Sequence, residues 1–261
     1  MAWSRVAALF IAVALVAAGC AGATAAPVAM RPTAEATSTP TSAPTLPAKP
    51  TAPLGPPSGS PSESPLATGP VYAVGDDSLH QTDLPAGLSD VIAVSAGGYH
   101  SLALQSDGEV VAWGFNGYGA ATVPAGLSGV VAIAAGNGFS LALRSDTTVV
   151  GWGYGADGET RIPAGLSGVS AISAGGTHSM ALKRDGTVVA WGDNFYGETD
   201  VPTGLTGAVA IAAGIGFSLA LLRDGTVVAW GYNAQGEIDL PARLSGVAAI
   251  SAGWFHSLEL T

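Results

Sequence analysis

The chain has few of the residues from which metal sites and catalytic centres are commonly built. Its 261 residues include one cysteine, four histidines and nine Lys and Arg side chains. No His or Cys cluster has the spacing of a zinc site, and there is no P-loop or Gly-x-Ser-x-Gly element. Helical periodicity is also missing from every stretch. We therefore predict no metal, no cofactor and a non-enzymatic protein without helices.

Positive charge is scarce as well. The net charge is −10, and residues 71–261 carry 17 Asp and Glu side chains against 6 Lys and Arg. This sign of charge argues against nucleic acid or an anionic lipid surface as a partner. The surplus permits a basic partner, although acidic surpluses of this size more commonly serve solubility.

Only the N-terminus has a continuous apolar run, Val6 to Ala18, which follows Arg5. The run is too short to cross a bilayer and is typical of a signal peptide. It leads into VAAGC, which resembles a bacterial lipobox, and lipidation would explain the lone Cys20. We expect a signal peptide over residues 1–20 and a lipoprotein outside the cell membrane, touching the membrane only through its lipid. The alternative is cleavage near Ala26 and secretion.

Residues 21–70 consist largely of Ala, Thr, Ser and Pro. This composition cannot bury enough apolar surface to offset the entropy of ordering, so we expect a disordered tether. The folded domain is then predicted over residues 71–261.

That domain is a repeat of 39 residues. Trp-Gly pairs begin at Trp113, Trp152, Trp191 and Trp230, and Ala-Gly pairs begin at Ala96, Ala135, Ala174, Ala213 and Ala252. A period near 40 indicates a repeat architecture. Each copy has alternating apolar runs separated by turns, which predicts three or four short strands. Each copy is too small to bury an apolar core by itself. This favours the blades of an all-β propeller, with a β-solenoid as the alternative.

The turns within each copy are marked by Asp-Gly. Asp224-Gly225 separates two apolar runs, which predicts a hairpin with a type I′ turn. Asp146-Thr147 departs from this pattern and predicts a longer or looser turn.

The two ends of the domain are in register with each other. Val71–Gly75 aligns with the strand at Val110–Gly114, and Ser257–Thr261 stops where a hairpin turn would come. Joining them would complete a blade without free sheet edges. We predict a propeller of five visible blades closed by these two segments, with an open arc or a truncated chain as alternatives.

The segment AGGTHSMALKRDGTVVAWGDN at residues 174–194 resembles the regulator-of-chromosome-condensation repeat family, and the resemblance covers residues 71–261. The compact 39-residue form is similar to secreted bacterial propellers, one of which is a proteinaceous β-lactamase inhibitor. The resemblance implies a propeller, typically of seven blades. It leaves the function open, because the family includes exchange factors, inhibitors and surface proteins.

A second periodicity spans two copies. The position after the Ala-Gly loop alternates between His and Phe, at His100, Phe139, His178, Phe217 and His256. Five residues earlier, Ser accompanies His and Ala accompanies Phe. A buried imidazole needs a partner, which a nearby hydroxyl or carbonyl could supply. We interpret these as hydrogen-bonded core histidines, because no acid or oxyanion motif accompanies the Ser/His pairs.

Candidate binding residues lie at the positions where the copies of the repeat differ in sequence. The positions after each Ala-Gly pair give the predicted partner-binding set, Tyr99, Asn137, Thr177, Ile215, Trp254 and Phe255. If the ring closes at five blades, Tyr99 would lie beside Trp254 and Phe255 in one patch. A second set follows Trp-Gly and either packs over the blade ends or binds: Phe115, Tyr118, Tyr154, Phe195, Tyr196 and Tyr232. The carboxylates of the same loops, such as Glu159 and Glu198, are interpreted as solvated charge.

These features favour a monomeric, surface-tethered propeller that binds a protein partner, or a glycan, through loops on one face. One alternative is a β-lactamase inhibitor. The other is an envelope enzyme that uses paired carboxylates in a central cleft.

Overall fold

The computed structural model describes residues 69–261, so the predictions for the signal peptide, for Cys20 and for most of the tether lie outside the described residues. The strands are β1 (Val91–Ala96), β2 (His100–Gln105), β3 (Val110–Gly114), β4 (Val130–Ala135), β5 (Phe139–Arg144), β6 (Val149–Gly153), β7 (Val169–Ala174), β8 (His178–Lys183), β9 (Val188–Gly192), β10 (Ala208–Ala213), β11 (Phe217–Leu222), β12 (Val227–Gly231), β13 (Ala249–Ala252) and β14 (Ser257–Leu260). Within this range, no helix is long and apolar enough to cross a membrane.

The strands form five antiparallel sheets, one for each repeat. Blades 1 to 4 are the three-stranded sheets β1–β3, β4–β6, β7–β9 and β10–β12, and blade 5 is the pair β13–β14. The first strand of each blade contacts the first strand of the next. These inner strands line one central channel of about 250 Å³. The predicted all-β propeller fold is confirmed.

The Asp-Gly turns differ from the predicted type I′ geometry. The Gly108 N–H donates to the Gln105 carbonyl, and the Gln105 N–H donates to the Glu109 carbonyl. Gly108 has a φ of 84°, whereas Asp107 is not among the residues of positive φ. The turn is therefore type I followed by a glycine bulge. Asp107 keeps an ordinary backbone conformation, and its carboxylate accepts the Glu109 N–H at 2.9 Å.

The prediction of a longer or looser turn at Asp146-Thr147 is wrong. The Thr147 N–H donates to the Arg144 carbonyl, and the Arg144 N–H donates to the Thr148 carbonyl, as in the glycine copies. Thr147 adopts a φ of 71° to preserve this geometry. The pairing of β5 with β6 fixes the length of the turn, and the Thr147 hydroxyl accepts the Gly168 N–H at 3.2 Å.

The predicted pairing of the two ends is not seen. Residues 71–75 form no strand, and β14 pairs only with β13. Val71 packs on Val91 and Trp113 of blade 1, just as Val110 packs on the corresponding residues of blade 2. The segment thus occupies the place of an outer strand that precedes blade 1. On blade 5, Leu258 is 48% exposed, whereas its equivalent Leu219 is fully buried.

Consecutive blades pack face to face through apolar side chains. Between blades 2 and 3, Phe139 and Leu141 pack in one cluster with Val169 and Trp191. All of these side chains are less than a tenth exposed. The tryptophans of the Trp-Gly pairs therefore pack between neighbouring blades.

One backbone carbonyl before each of blades 1 to 4 accepts two hydrogen bonds from that blade. The Glu159 carbonyl accepts the indole N–H of Trp191 at 2.8 Å and the hydroxyl of Ser179 at 2.8 Å. The carbonyls of Gln81, Ala120 and Glu198 accept the Trp and Ser of the following blade in the same way. Each tryptophan therefore buries its ring without leaving its N–H unpaired.

His100 and His178 are buried and hydrogen-bonded, as predicted, whereas the third alternating histidine, His256, is exposed, so the prediction is wrong for that copy. His100 Nε2 lies 2.8 Å from Ser140 Oγ, and His178 Nε2 lies 2.9 Å from Ser218 Oγ. Each serine hydroxyl already donates to a carbonyl, so the histidine Nε2 must carry the proton and donate to the serine.

The serine that accepts from each histidine belongs to the next blade, 40 residues along the chain. Ser95, which varies together with His100, instead accepts the N–H of Ala135 on blade 2 at 3.0 Å. Ser173 and Ala213 repeat this bond between blades 3 and 4. The two-copy periodicity thus marks alternate blade junctions that carry additional polar contacts.

Two glycines of equal φ allow the cost of backbone strain to be distinguished from the cost of a steric collision. Gly186 and Gly119 both have a φ of 80°, but a Cβ on Gly186 would meet Gly207 Cα at 2.9 Å, whereas Gly119 faces open space. We expect Gly119→Ala to cost about 1 kcal/mol of unfolding free energy and Gly186→Ala about 2 kcal/mol or more. Urea denaturation measures both; equal losses would contradict the structural role of the Gly186–Gly207 approach.

The buried histidines predict a pH dependence of stability. Burial lowers the pKa of His100 and of His178 to about 4. The unfolded chain takes up protons on these histidines at a higher pH than the folded chain does. The contribution of the two neutral histidines to the free energy of unfolding is therefore complete above about pH 6.5 and is lost as the pH falls towards 4. The full effect is on the order of 3 kcal/mol for each histidine.

The double variant His100→Phe, His178→Phe carries the phenylalanine that the other copies have at this position. It removes the pH-dependent contribution of the two histidines to stability. Its urea-denaturation free energy should fall less than that of the wild type between pH 7 and pH 4.5. His256→Phe is the matched control, since His256 is exposed. Parallel curves for the wild type and the double variant would disprove the assignment.

Candidate functional site

The two variable loop sets lie at the same end of the propeller. One set joins the first and second strands of each blade, and the other follows the third strand. The Phe115 N–H donates to the Tyr99 carbonyl at 2.9 Å, and the Tyr232 N–H donates to the Gly216 carbonyl at 2.8 Å. We call this end the loop face. It comprises residues 76–83, 97–99, 115–122, 136–138, 154–161, 175–177, 193–200, 214–216, 232–239 and 253–255.

Hydrogen bonds between blades fix the inner loops of this face. The Gly98 N–H donates to Gly136, the Gly176 N–H to Gly214 and the Ile215 N–H to Trp254, in each case to the backbone carbonyl. A Cβ on Gly175 would collide with the Gly214 carbonyl oxygen, so the close approach needs glycine. The loops that vary most in sequence are therefore held rigidly with respect to one another.

The predicted partner-binding residues all lie on the loop face, but no ring contact joins Tyr99 to Trp254 or Phe255 among the described residues. Tyr99 is 37% exposed and Phe255 is 45% exposed. The remaining predicted residues are half-buried: Asn137, Thr177, Ile215 and Trp254. Trp254 contacts Phe255 at a ring-centroid distance of 6.4 Å, whereas Tyr99 contacts Phe115 at 6.2 Å. The expected patch depended on closure of the ring, and residues 69–261 do not form that closure.

Tyr99 instead joins a row of rings from the second loop set. Phe115 contacts Tyr118 at 5.5 Å and Tyr118 contacts Tyr154 at 5.1 Å, both edge to face. We call Tyr99, Phe115, Tyr118 and Tyr154 the first aromatic cluster. The row spans blades 1 and 2, and Tyr118 is 52% exposed.

A second aromatic cluster lies on blades 3 and 4. Phe195 contacts Tyr196 at 4.9 Å, and Tyr196 contacts Tyr232 at 4.6 Å. Phe195 is 80% exposed and Tyr196 is 51% exposed. The sequence left packing and binding open for these residues. The structure shows packing, since each ring contacts a neighbour, and several rings remain open to solvent, whereas binding stays a prediction.

The loop carboxylates fall into two classes, which corrects the interpretation that all are solvated. Glu159, Glu198 and Glu237 are at most 1% exposed. Their Oε2 atoms accept the N–H two residues earlier, at 3.1 Å, 2.8 Å and 2.9 Å respectively. Burial raises the pKa of Glu159 and of Glu198, and the nearby Asp193 carboxylate raises both further. These side chains brace the loops from beneath.

Sequence reasoning missed this role because a glutamate in a polar loop is usually solvated. The one available signal was the fixed Gly-Glu at the same repeat position, at Gly158-Glu159, Gly197-Glu198 and Gly236-Glu237. A surface charge that merely drifts would not keep one position through three copies.

The described residues contain one group with the spacing of metal ligands. Asp77, His80 and Asp83 place one ligand atom each within 4.8 Å of one another. All three are exposed, and His80 Nδ1 already lies 2.9 Å from Asp83 Oδ2. The central channel is lined by Ala, Ser and Ile of the inner strands and has no carboxylate among its described lining residues.

Comparison with known proteins agrees with this architecture. The sequence model of the Regulator of chromosome condensation (RCC1) repeat matches residues 91–120, 130–159, 169–198 and 208–237. No curated protein sequence matches the chain.

Similar solved structures include Prp20p from Saccharomyces cerevisiae, human WBSCR16 and the ectodomain of the Physcomitrella patens receptor kinase CR4. Prp20p is 18% identical with a TM-score of 0.58, over 68% of this chain and 58% of that chain. WBSCR16 is 20% identical with a TM-score of 0.59, over 72% and 66%. The CR4 ectodomain is 27% identical with a TM-score of 0.58, over 72% and 52%.

This chain thus spans between about half and two thirds of the length of these structures. The match to four consecutive repeats, together with the propeller of similar blades, shows that the protein belongs to the RCC1-like repeat family.

Proposed function

We propose that this protein is a non-enzymatic binding protein that holds a protein partner on its loop face. The observation that carries the proposal is the exposed aromatic side chains on loops that hydrogen bonds between blades hold rigid. Rigid aromatic rings supply large contact area at little cost in conformational entropy, and they are frequent anchors of protein interfaces.

The packing of the rings supports this use. Tyr118 touches both Phe115 and Tyr154, so its ring is positioned before any partner arrives. Phe195 exposes most of its surface although it packs on Tyr196. Exposed apolar surface of this kind, on ordered loops at one end of a monomeric protein, is typical of an interaction site.

The relatives support the same class of function. The Saccharomyces cerevisiae protein Prp20p is described by its binding to Gsp1p and histones, which are protein partners. A propeller that serves as a scaffold for protein binding is therefore known in this family. The partners of Prp20p do not identify the partner of this chain, because this chain covers 58% of Prp20p at 18% identity. A glycan ligand and inhibition of a β-lactamase stay predictions.

Loss of two exposed rings tests the proposed function. We expect Tyr118→Ala together with Tyr196→Ala to weaken retention of the native partner from envelope extract at least tenfold, because interface aromatics dominate binding energy. The measurement is quantitative mass spectrometry of proteins bound to the immobilised chain. Tyr72→Ala is the matched control, since Tyr72 is 82% exposed and lies outside the loop face. Unchanged retention by the double variant would refute the proposal.

Attachment to the cell surface is part of the proposal and is supported by the VAAGC sequence around Cys20. We expect the wild-type protein to incorporate labelled palmitate and to sediment with membranes. Cys20→Ser should abolish both and release the protein to the soluble fraction. Membrane association that persists in Cys20→Ser without label would show that the anchor is something else.

A further inference from the structure

Charge is distributed unevenly between the two ends of the propeller. Of the six Lys and Arg side chains in residues 71–261, only Arg161 lies on the loop face. The others lie in the hairpins between the second and third strands or in the segment before blade 5: Arg144, Lys183, Arg184, Arg223 and Arg243. The end that bears the aromatic clusters is thus nearly free of positive charge.

Aspartates are interleaved with the aromatic rings of that end. Asp157 follows Tyr154, Asp193 precedes Phe195, and Asp239 follows Tyr232. Asp193 Oδ1 accepts the backbone N–H groups of Asn194 and Phe195 at 2.8 Å and 3.2 Å, which fixes this carboxylate beside the second aromatic cluster. The Asp157 carboxylate is close enough to Tyr154 to raise the pKa of its hydroxyl.

These carboxylates lack basic partners within the described part of the chain. At the opposite end, Asp146 pairs with Arg144 at 3.6 Å and Asp185 pairs with Lys183 at 3.0 Å. On the loop face no Lys or Arg among residues 69–261 forms such a pair, and the one ion pair joins His80 to Asp83. Two aspartates of the opposite end are therefore paired with a basic side chain, whereas no carboxylate of the loop face is paired with Lys or Arg in residues 69–261.

Buried charge lies beneath the same face. Glu198 Oε1 and Glu237 Oε1 are buried and have no hydrogen-bond partner among the described residues. A carboxylate oxygen in this state attracts a cation more strongly than a solvated one, because less water screens it.

We propose that the segment recognised by the loop face is an arginine-rich segment of the partner protein. A guanidinium group stacks on aromatic faces and also forms paired hydrogen bonds with a carboxylate, and this surface offers both side by side. Lysine supplies a point charge without the planar fork, so it fits the alternation of ring and carboxylate less well. This inference rests on the proposed function and adds the chemistry of the partner.

The test uses the purified full-length protein and capped ten-residue peptides of alternating Arg and Gly, Lys and Gly, or Glu and Gly. Isothermal titration at about 50 mM salt should show the Arg peptide binding several-fold more tightly than the Lys peptide, with no binding of the Glu peptide. Asp157→Asn with Asp193→Asn should weaken the Arg peptide by about two- to tenfold, which corresponds to two exposed ion pairs. The matched control is Asp146→Asn with Asp185→Asn, which changes the net charge equally at the opposite end.

An Arg peptide that fails to bind would overturn the inference. Equal weakening by both double variants would also overturn it, because the attraction would then come from net charge alone. The native partner separates this inference from the proposed function. If Tyr118→Ala with Tyr196→Ala loses that partner while Asp157→Asn with Asp193→Asn keeps it, the loop face binds protein but does not select arginine. If neither variant loses the partner, the proposed function fails as well.

Discussion

The backbone carbonyl that accepts two hydrogen bonds before each of blades 1 to 4 is the interaction on which the rest of the structure depends. A tryptophan buries its ring against the preceding blade only if its indole N–H is paired there, and the carbonyl of Gln81, Ala120, Glu159 or Glu198 supplies that partner. The serine hydroxyl at the same carbonyl ties the middle strand to the same point. The indole and the hydroxyl of one blade thereby bind a single carbonyl oxygen in the loop that precedes the blade. This shared contact fixes the angle between the blades.

The loop face follows from this arrangement. The accepting carbonyls of Glu159 and Glu198 belong to the residues whose buried carboxylates brace the loops after the third strands. One residue therefore joins two blades with its backbone and supports a loop with its side chain. The aromatic rings of these two loops are therefore carried by the same residues that join the blades, so the loop face and the core share one set of interactions.

The alternate junctions show how a repeat can vary without losing its geometry. Between blades 1 and 2 the contact includes a hydrogen bond from His100 to Ser140, whereas between blades 2 and 3 the buried Phe139 fills the same place. Both solutions bury a large flat side chain. In blades 1 to 4 the serine hydroxyl donates to the carbonyl, and its oxygen stays free to accept a hydrogen bond from histidine at alternate junctions.

The sequence predicted the fold and the positions of the two loop sets because both follow from the period. Strand positions, the turns and the two loop sets recur with the tryptophans, so reading one copy describes the next. The buried role of Glu198 was harder to predict, since its burial depends on the loop that folds over it. The turn at Thr147 was predicted wrongly because residue preference suggested a looser turn, whereas strand pairing fixed the length.

The 39-residue period by itself determined the all-β propeller, the positions of the strands in blades 1 to 4 and the residues that vary, because spacing along the chain sets which side chains share a face. Only the tertiary structure decided which rings touch and where the uncompensated charge lies. It also decided that Val71 packs on blade 1 and that residues 71–75 do not pair with β14. These outcomes depend on distances between blades, and a repeat encodes the shape of each blade more directly than the way the first and last of them meet.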